Sequence, residues 1–257
     1  MYGNIIGDLA GSSYEYGQTK KVSNITVDKL ITNNSFISDD TILTIAIIDA
    51  IINNISYEEK LREYGLKYEN FVKPNTPYFE KTFSPGFLKW VYGDFEGQSC
   101  GNGAMMRIAP VGYLFNSLKE VEEQSRLATI PSHNSKEAID CATIVAKIIF
   151  LARKGYSKEE IIKELNIVLY EKEIKRFNYT CYDTIDVCLN SLFTTNSFDD
   201  AIKKVLSYGG DTDTNACIVG GMAEAMYGLD ERYVKEVNEK IPKEFKKVLK
   251  KAYKSLI

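Results

Sequence analysis

The chain has 257 residues, 32 Lys+Arg against 35 Asp+Glu, a net charge of −3 and one histidine. With 44% apolar and 26% charged residues it has the balance of an ordinary soluble globular protein, long enough to bury its own core without disulfide staples. The charge gives no pull toward nucleic acid or anionic membrane, and the lone His133 excludes histidine-rich zinc sites, haem-type His clusters and any Ser-His-Asp triad built on another histidine.

Met1-Tyr2-Gly3-Asn4 has no basic n-region and soon reaches Asp8, so no secretion signal is expected. In Gly7-Asp8-Leu9-Ala10-Gly11-Ser12-Ser13-Tyr14-Glu15, glycines four apart on a short helical turn permit close packing, and Asp8 and Glu15 supply carboxylates. Lys21–Thr32 alternates weakly and reads as an extended loop. Residues 41–52 are apolar nearly all round, which makes a central helix, yet one too short for the ~20 residues of a membrane span. Segment 71–86 is turn-rich and reads as a surface excursion.

Capping boxes occur at Ser56/Glu59, Ser117/Glu120, Ser157/Glu160 and Ser197/Asp200, with Asn134/Glu137 as an Asn-capped analogue. Each precedes apolar residues three and four apart, as with Ala138, Ala142, Val145, Ile149 and Ala152. Gly155 and Gly228 stand where helix C-caps do. Residues 215–227 form a second undivided helix, in which Gly220-Gly221 costs about 1 kcal/mol per glycine against alanine. Close approach of a neighbouring helix is the compensating gain. The Lys-rich segment 240–254, interleaved by Glu244 after Glu239, reads as a solvated helix face. These signals make one all-α domain over 1–257. Five cysteines without a C-x-x-C pair point to a reducing, cytoplasmic compartment.

Both undivided helices begin after acidic clusters, Ser38-Asp39-Asp40-Thr41 and Gly209-Gly210-Asp211-Thr212-Asp213-Thr214. Helix capping explains either cluster alone. Together, four carboxylates can converge only around something cationic, because unpaired they repel and their pKa values rise. Oxygen-only donors suit Mg²⁺, Mn²⁺ or Ca²⁺ and not zinc. The D-x-D spacing lacks the glycine and glutamate of an EF-hand. Gly101-Asn102-Gly103-Ala104-Met105-Met106-Arg107 is a glycine-rich turn that can aim backbone N–H groups at phosphate oxygens, with Arg107 adding charge. It is not a P-loop. Cys100 beside it has no identifiable activator. Tyr14 and Tyr208 lie inside motifs and are candidates to line the cleft.

The ordered segments G-D-x-x-G-S-x-Y-E, S-D-D-T, G-N-G-A-M-M-R, P-S-H-N and G-G-D-T-D-T-N-A resemble the signature motifs of the ADP-ribosylglycohydrolases, from Gly3 to about Gly228. The resemblance implies an orthogonal multi-helix bundle holding two Mg²⁺, in some members Mn²⁺, in a cleft. It implies Ser38, Asp39, Asp40, Asp211, Asp213 and Thr214 as metal ligands, and Glu15 as a movable acid near the metals. Gly101, Asn102, Gly103, Ala104 and Met105 match the loop that holds the diphosphate or distal ribose, and His133 the histidine near the adenosine side. Ser38 stands where threonine is commoner, which keeps the hydroxyl.

The expected reaction is metal-dependent hydrolysis at C1 of the distal ribose of an ADP-ribosylated protein or other ADP-ribosyl adduct, releasing ADP-ribose. Its oxocarbenium-like transition state calls for a nearby carboxylate. Glu15, Asp39 or Asp213 is the candidate base, and no nucleotide cofactor is required. Rim loops 16–37 and 71–99 are the expected source of selectivity. A monomer is expected, without membrane or nucleic-acid partners. The alternatives are a non-catalytic ADP-ribose-binding or crystallin-like protein on the same fold, which intact acids disfavour, and a metal-dependent phosphohydrolase, which the single histidine disfavours.

Overall fold

Serine and threonine caps set most of the helix starts. In the computed structural model, which describes residues 1–15, 25–71, 81–174 and 176–256, the helices are α1 (Tyr2–Ser12), α2 (Asp39–Asn53), α3 (Tyr57–Lys67), α4 (Pro85–Tyr92), α5 (Gly103–Met106), α6 (Ala109–Leu114), α7 (Leu118–Thr129), α8 (Lys136–Arg153), α9 (Lys158–Glu164), α10 (Cys181–Phe193), α11 (Phe198–Ser207), α12 (Thr212–Tyr227), α13 (Glu231–Lys240) and α14 (Lys243–Lys254). Among the described residues there is no strand, only the isolated bridges Gln98–His133 and Gly101–Thr180. No described helix is long and apolar enough to cross a membrane.

Ser117 and Ser157 form reciprocal capping boxes with Glu120 and Glu160. Ser56 and Ser197 accept the N–H three residues on. At α8 the expected Asn134 cap is replaced by Ser135, whose hydroxyl accepts from Ala138 N, while Asn134 N–H pairs with Gly97 O at 2.6 Å. Within 71–86, Ser84 caps α4 and Pro85 occupies its first turn, so the Ser-Pro-Gly signal marks a helix start as well as a turn. Residues 72–80 of that segment, and 21–24 of the expected loop Lys21–Thr32, lie outside the described residues.

The centre of the bundle is the antiparallel pair α1–α12. A Cβ on Gly3 would lie 2.1 Å from Gly220 O, on Gly7 1.9 Å from Ala216 O, and on Gly11 2.2 Å from Thr212 O. Only glycine permits this backbone approach, and it offsets the cost of Gly220 inside α12. α2 lies beside the pair, buried from Asp40 to Ile48. α8 covers another flank through Ala142, Val145, Ala146 and Ile149, with Ala152 half-buried. α14 turns its lysines outward and buries Phe245, Leu249 and Ala252, Phe245 packing on Tyr64 and Tyr68. Running antiparallel, α1 delivers its C-terminal end to the N-terminal end of α12, where α2 also starts.

Candidate active site

At that junction a cavity of about 300 Å³ is lined by Glu15, Asp39, Asp40, Asp211, Asp213 and Thr214 on one side and by Gly101, Asn102, Gly103 and His133 on the other. Three helix ends furnish the acids. From α1 comes Asp8, fully buried, whose Oδ2 accepts from Ser38 N (2.9 Å), Thr41 N (3.1 Å) and Thr41 Oγ1 (2.5 Å). Asp8 thus caps the start of α2 from another helix. Glu15, just past α1, is 5% exposed and is no surface acid.

Ser38, the N-cap of α2, accepts from Asp40 N and donates to Asp40 Oδ2 at 2.9 Å. Asp40 Oδ2 also receives Thr214 Oγ1 at 3.3 Å. Asp39 is half-buried at the cavity wall. Asp211, at the N-cap of α12, makes no capping bond with its side chain, and its Oδ2 accepts from Asn102 Nδ2 at 2.7 Å. Capping alone therefore does not account for Asp211. Gly209 and Gly210 precede it at φ +74 each, and a Cβ on Gly210 would strike Asn178 Oδ1 at 2.1 Å. That same Asn178 Oδ1 accepts from Asp211 N at 2.9 Å, which fixes the turn.

Carboxylate oxygens of Asp8, Asp40 and Asp213 lie within 4.8 Å of one another, and so do those of Glu15, Asp211 and Asp213. Asp213 belongs to both groups. Burial and the charge of Asp213 push the Asp8 carboxyl up to about 7, and push Asp40 and Asp211 well above the usual carboxylate range. Asp8 Oδ1 and Asp40 Oδ1 are buried without a hydrogen-bond partner. Orphaned buried carboxylate oxygens are costly, and an all-oxygen donor set with spare lone pairs is what a hard divalent cation takes. The residues fit such an ion.

The opposite wall has no carboxylate, and Arg107 is its one charged residue among the described lining residues. His133 is buried, and burial together with the Arg107 charge holds its pKa well below the usual value. Its ring faces the Gly101–Gly103 turn, where a Cβ on Gly103 would lie 3.3 Å from Nε2. Such a wall offers hydrogen-bond donors and one guanidinium, suited to an anionic ligand.

A model of the ADP-ribosylglycohydrolase family matches residues 1–256. The chain belongs to the ADP-ribosylglycohydrolase family. It is 28% identical to the ADP-ribosylarginine hydrolase Tri1 of Pseudomonas putida (strain GB-1) over 53% of this chain and 41% of that protein. It is 22% identical to the ADP-ribosylhydrolase ARH3 of Mus musculus over 90% of this chain and 83% of that protein. The match to Tri1 thus spans less than half of that relative's length. A solved "ADP-ribosylglycohydrolase-related protein complex" superposes with TM-score 0.75 at 15% identity, covering 99% of this chain and 95% of the other. The all-α orthogonal bundle is the ADP-ribosylglycohydrolase fold.

The residues expected at the site are distributed unevenly around this cavity. Ala104 and Met105 are fully buried in the core and do not line the cavity, because α5 turns them inward and leaves Gly101, Asn102, Gly103 and Met106 at its wall. Ser38 is fully buried behind Asp40 and is absent from the lining. Arg107 is 1% exposed, bonds to Ser132 and Ala128, and lines the cavity beside His133. The aromatic lining is Phe83, Phe87, Phe177 and Tyr179. Tyr14 packs against the core instead, and Tyr208 bonds to Asn190 Oδ1. The sequence reading also left Asp8 without a specific role and passed over Asn178. The signal for Asp8 was its place beside Gly7 on the close-packed face; Asn178 lies outside every motif.

Proposed function

We propose that the chain is a metal-dependent hydrolase that releases ADP-ribose from ADP-ribosylated protein side chains or a related ADP-ribosyl adduct. The observation that carries this reading is the convergence of Asp8, Glu15, Asp40, Asp211 and Asp213, buried, at one side of a cavity faced by a glycine turn and a histidine. The relatives' names supply the chemical class, since Tri1 and ARH3 are called hydrolases of ADP-ribosylated substrates.

Asp39, Asp40, Asp211, Asp213 and Thr214, with Ser38 buttressing Asp40, would hold two Mg²⁺ or Mn²⁺. Such ions, when bound, supply Lewis acidity and neutralise the acids. The protein's own groups divide the remaining work. The Gly103 backbone N–H and the His133 ring hold the diphosphate end, since the Gly101 and Asn102 N–H groups already donate to Ser99 Oγ and Tyr179 O. That leaves the distal ribose over the carboxylates. Glu15 takes the proton of the attacking water at its carboxylate, with Asp39 or Asp213 as the alternative base. As the bond from C1 to the leaving group breaks, the same acids stabilise positive charge on the ribose. Cleavage is at the glycosidic bond, N- or O-linked.

The test is a panel of arginine-, serine-, nucleic-acid- and O-acetyl-linked ADP-ribose substrates, incubated with Mg²⁺ or Mn²⁺ and read as released ADP-ribose. Release that stops on chelation supports the reading. No release from any substrate with either metal, at stoichiometric protein, refutes hydrolysis. Tight ADP-ribose binding in that case would select the non-catalytic alternative.

A further inference from the structure

At the cavity wall a chain of donors ends on the molecule's single histidine. Arg107 Nη2 donates to Ser132 Oγ at 2.6 Å and to Ala128 O at 3.5 Å. Ser132 Oγ lies 2.8 Å from His133 Nδ1. The three side chains are 1%, 4% and 8% exposed. Arg107 forms no ion pair among the described residues, and its Nε and Nη1 have no partner. Burial brings its pKa down to about 9, so it stays a cation at neutral pH.

A guanidinium only donates. Ser132 Oγ must therefore accept from Arg107, and its one hydroxyl proton remains to be placed. Among the described residues the only other partner of Ser132 Oγ is His133 Nδ1. If Nδ1 carried a proton, the buried hydroxyl hydrogen would have no acceptor, at the full desolvation cost. If Nδ1 is bare, the Ser132 hydroxyl proton has its acceptor. The ring proton then sits on Nε2, which has no protein hydrogen-bond partner among the described residues and faces the Gly101–Gly103 turn. A doubly protonated ring is disfavoured by burial and by the nearby Arg107 charge.

We propose that Arg107 and Ser132 are positioning residues that fix His133 as the neutral Nε2–H tautomer and aim that proton across the glycine turn at an acceptor oxygen of the bound diphosphate. This rests on the reading of the cavity as an ADP-ribosyl site. In this role Arg107 acts through Ser132. The buried guanidinium fixes which nitrogen donates, while Ser132 fixes where the ring points.

His133 is the only histidine, so two-dimensional ¹⁵N correlation spectra of the Mg²⁺-supplemented protein, labelled at histidine, report one ring without assignment. The expected pattern at pH 7 is a bare Nδ1 and a protonated Nε2. An Nδ1–H or imidazolium pattern overturns the proposal, and this measurement needs no variant. Arg107→Met should move the tautomer balance toward Nδ1–H, and an unchanged spectrum removes Arg107 from the relay. Ser132→Ala should raise the ADP-ribose Kd and the KM about tenfold, the loss of one hydrogen bond, with kcat held within about threefold. Ser132→Thr, which keeps the hydroxyl, should restore binding. Wild-type affinity in Ser132→Ala refutes the positioning role. The Nε2–H pattern in a protein that binds no ADP-ribose would sink the functional reading and leave the relay standing. ADP-ribose bound beside an Nδ1–H ring would do the reverse.

Discussion

With divalent cations absent, raising the pH should destabilise this protein by a calculable amount. Asp8 titrates near 7 in the folded chain against 3.8 in the ordinary carboxylate, through burial and the Asp213 charge. Between those values the folded state holds more protons than the unfolded state, so stability falls as pH rises. The stabilisation from the protonated form is complete below about 3.8 and gone above about 7. That interval of about three pH units, at about 1.4 kcal/mol each, removes about 4 kcal/mol. It is a large part of the 5–15 kcal/mol that holds a typical domain together. Asp40 and Asp211 are shifted in the same direction and add to the loss. Urea denaturation of chelator-treated protein from pH 4 to 8, beside Asp8→Asn, isolates the effect. The asparagine keeps an acceptor for Ser38 N and Thr41 N but carries no charge. The stability of wild type minus that of Asp8→Asn should fall by about 4 kcal/mol across the range. Mg²⁺ at a hundred times its Kd should return about 2.7 kcal/mol to the wild type at pH 8. A metal-free wild type whose stability relative to Asp8→Asn is flat or rising over this window would refute the buried acidic cluster as a source of pH-dependent instability.

Three further outcomes are expected. Glu15→Gln should lower kcat by 10²–10⁴-fold, as loss of a general base does, with the ADP-ribose Kd within threefold by calorimetry; a kcat within threefold of wild type would move the base to Asp39 or Asp213. Asp213→Asn, which touches both carboxylate groups, should abolish Mg²⁺ binding measured by isothermal titration, and retained binding would show that the two groups do not share this residue. Gly7→Ala places a methyl 1.9 Å from Ala216 O and should cost at least the 1–3 kcal/mol typical of overpacking; an unchanged Tm would contradict the tight α1–α12 contact.

The helices were legible where the sequence writes both ends of a local interaction. Ser117 with Glu120 and Ser157 with Glu160 are three residues apart and pair as written. The undivided composition of 41–52 and 215–227 announced the two buried helices, and the spacing of the motifs announced the junction where their acids meet. What was not legible depends on long-range approach. No local pattern says that Asp8 reaches thirty residues on to Ser38, or that Asn178 and Tyr179 close the wall beside Asn102. Arg107 reads as charge beside the glycine turn, and its bond to Ser132 is visible only in the fold. Asn134 and Ser135 are both good caps, and the chain uses Ser135, whose hydroxyl accepts from Ala138 N.

The glycine contact between α1 and α12 also acts as a gauge block. Gly7 meets Ala216 and Gly11 meets Thr212 main chain to main chain, with no side chain as shim between them. The spacing of Asp8 on one helix from Asp213 on the other is therefore set by the van der Waals radii of backbone atoms, which no substitution elsewhere in the core can alter. Side chains on the outer faces of both helices are free to drift in size and shape while the opening between the acids stays constant. Any change in which cation is preferred must then come from the ligands themselves, or from a residue that forces these two backbones apart.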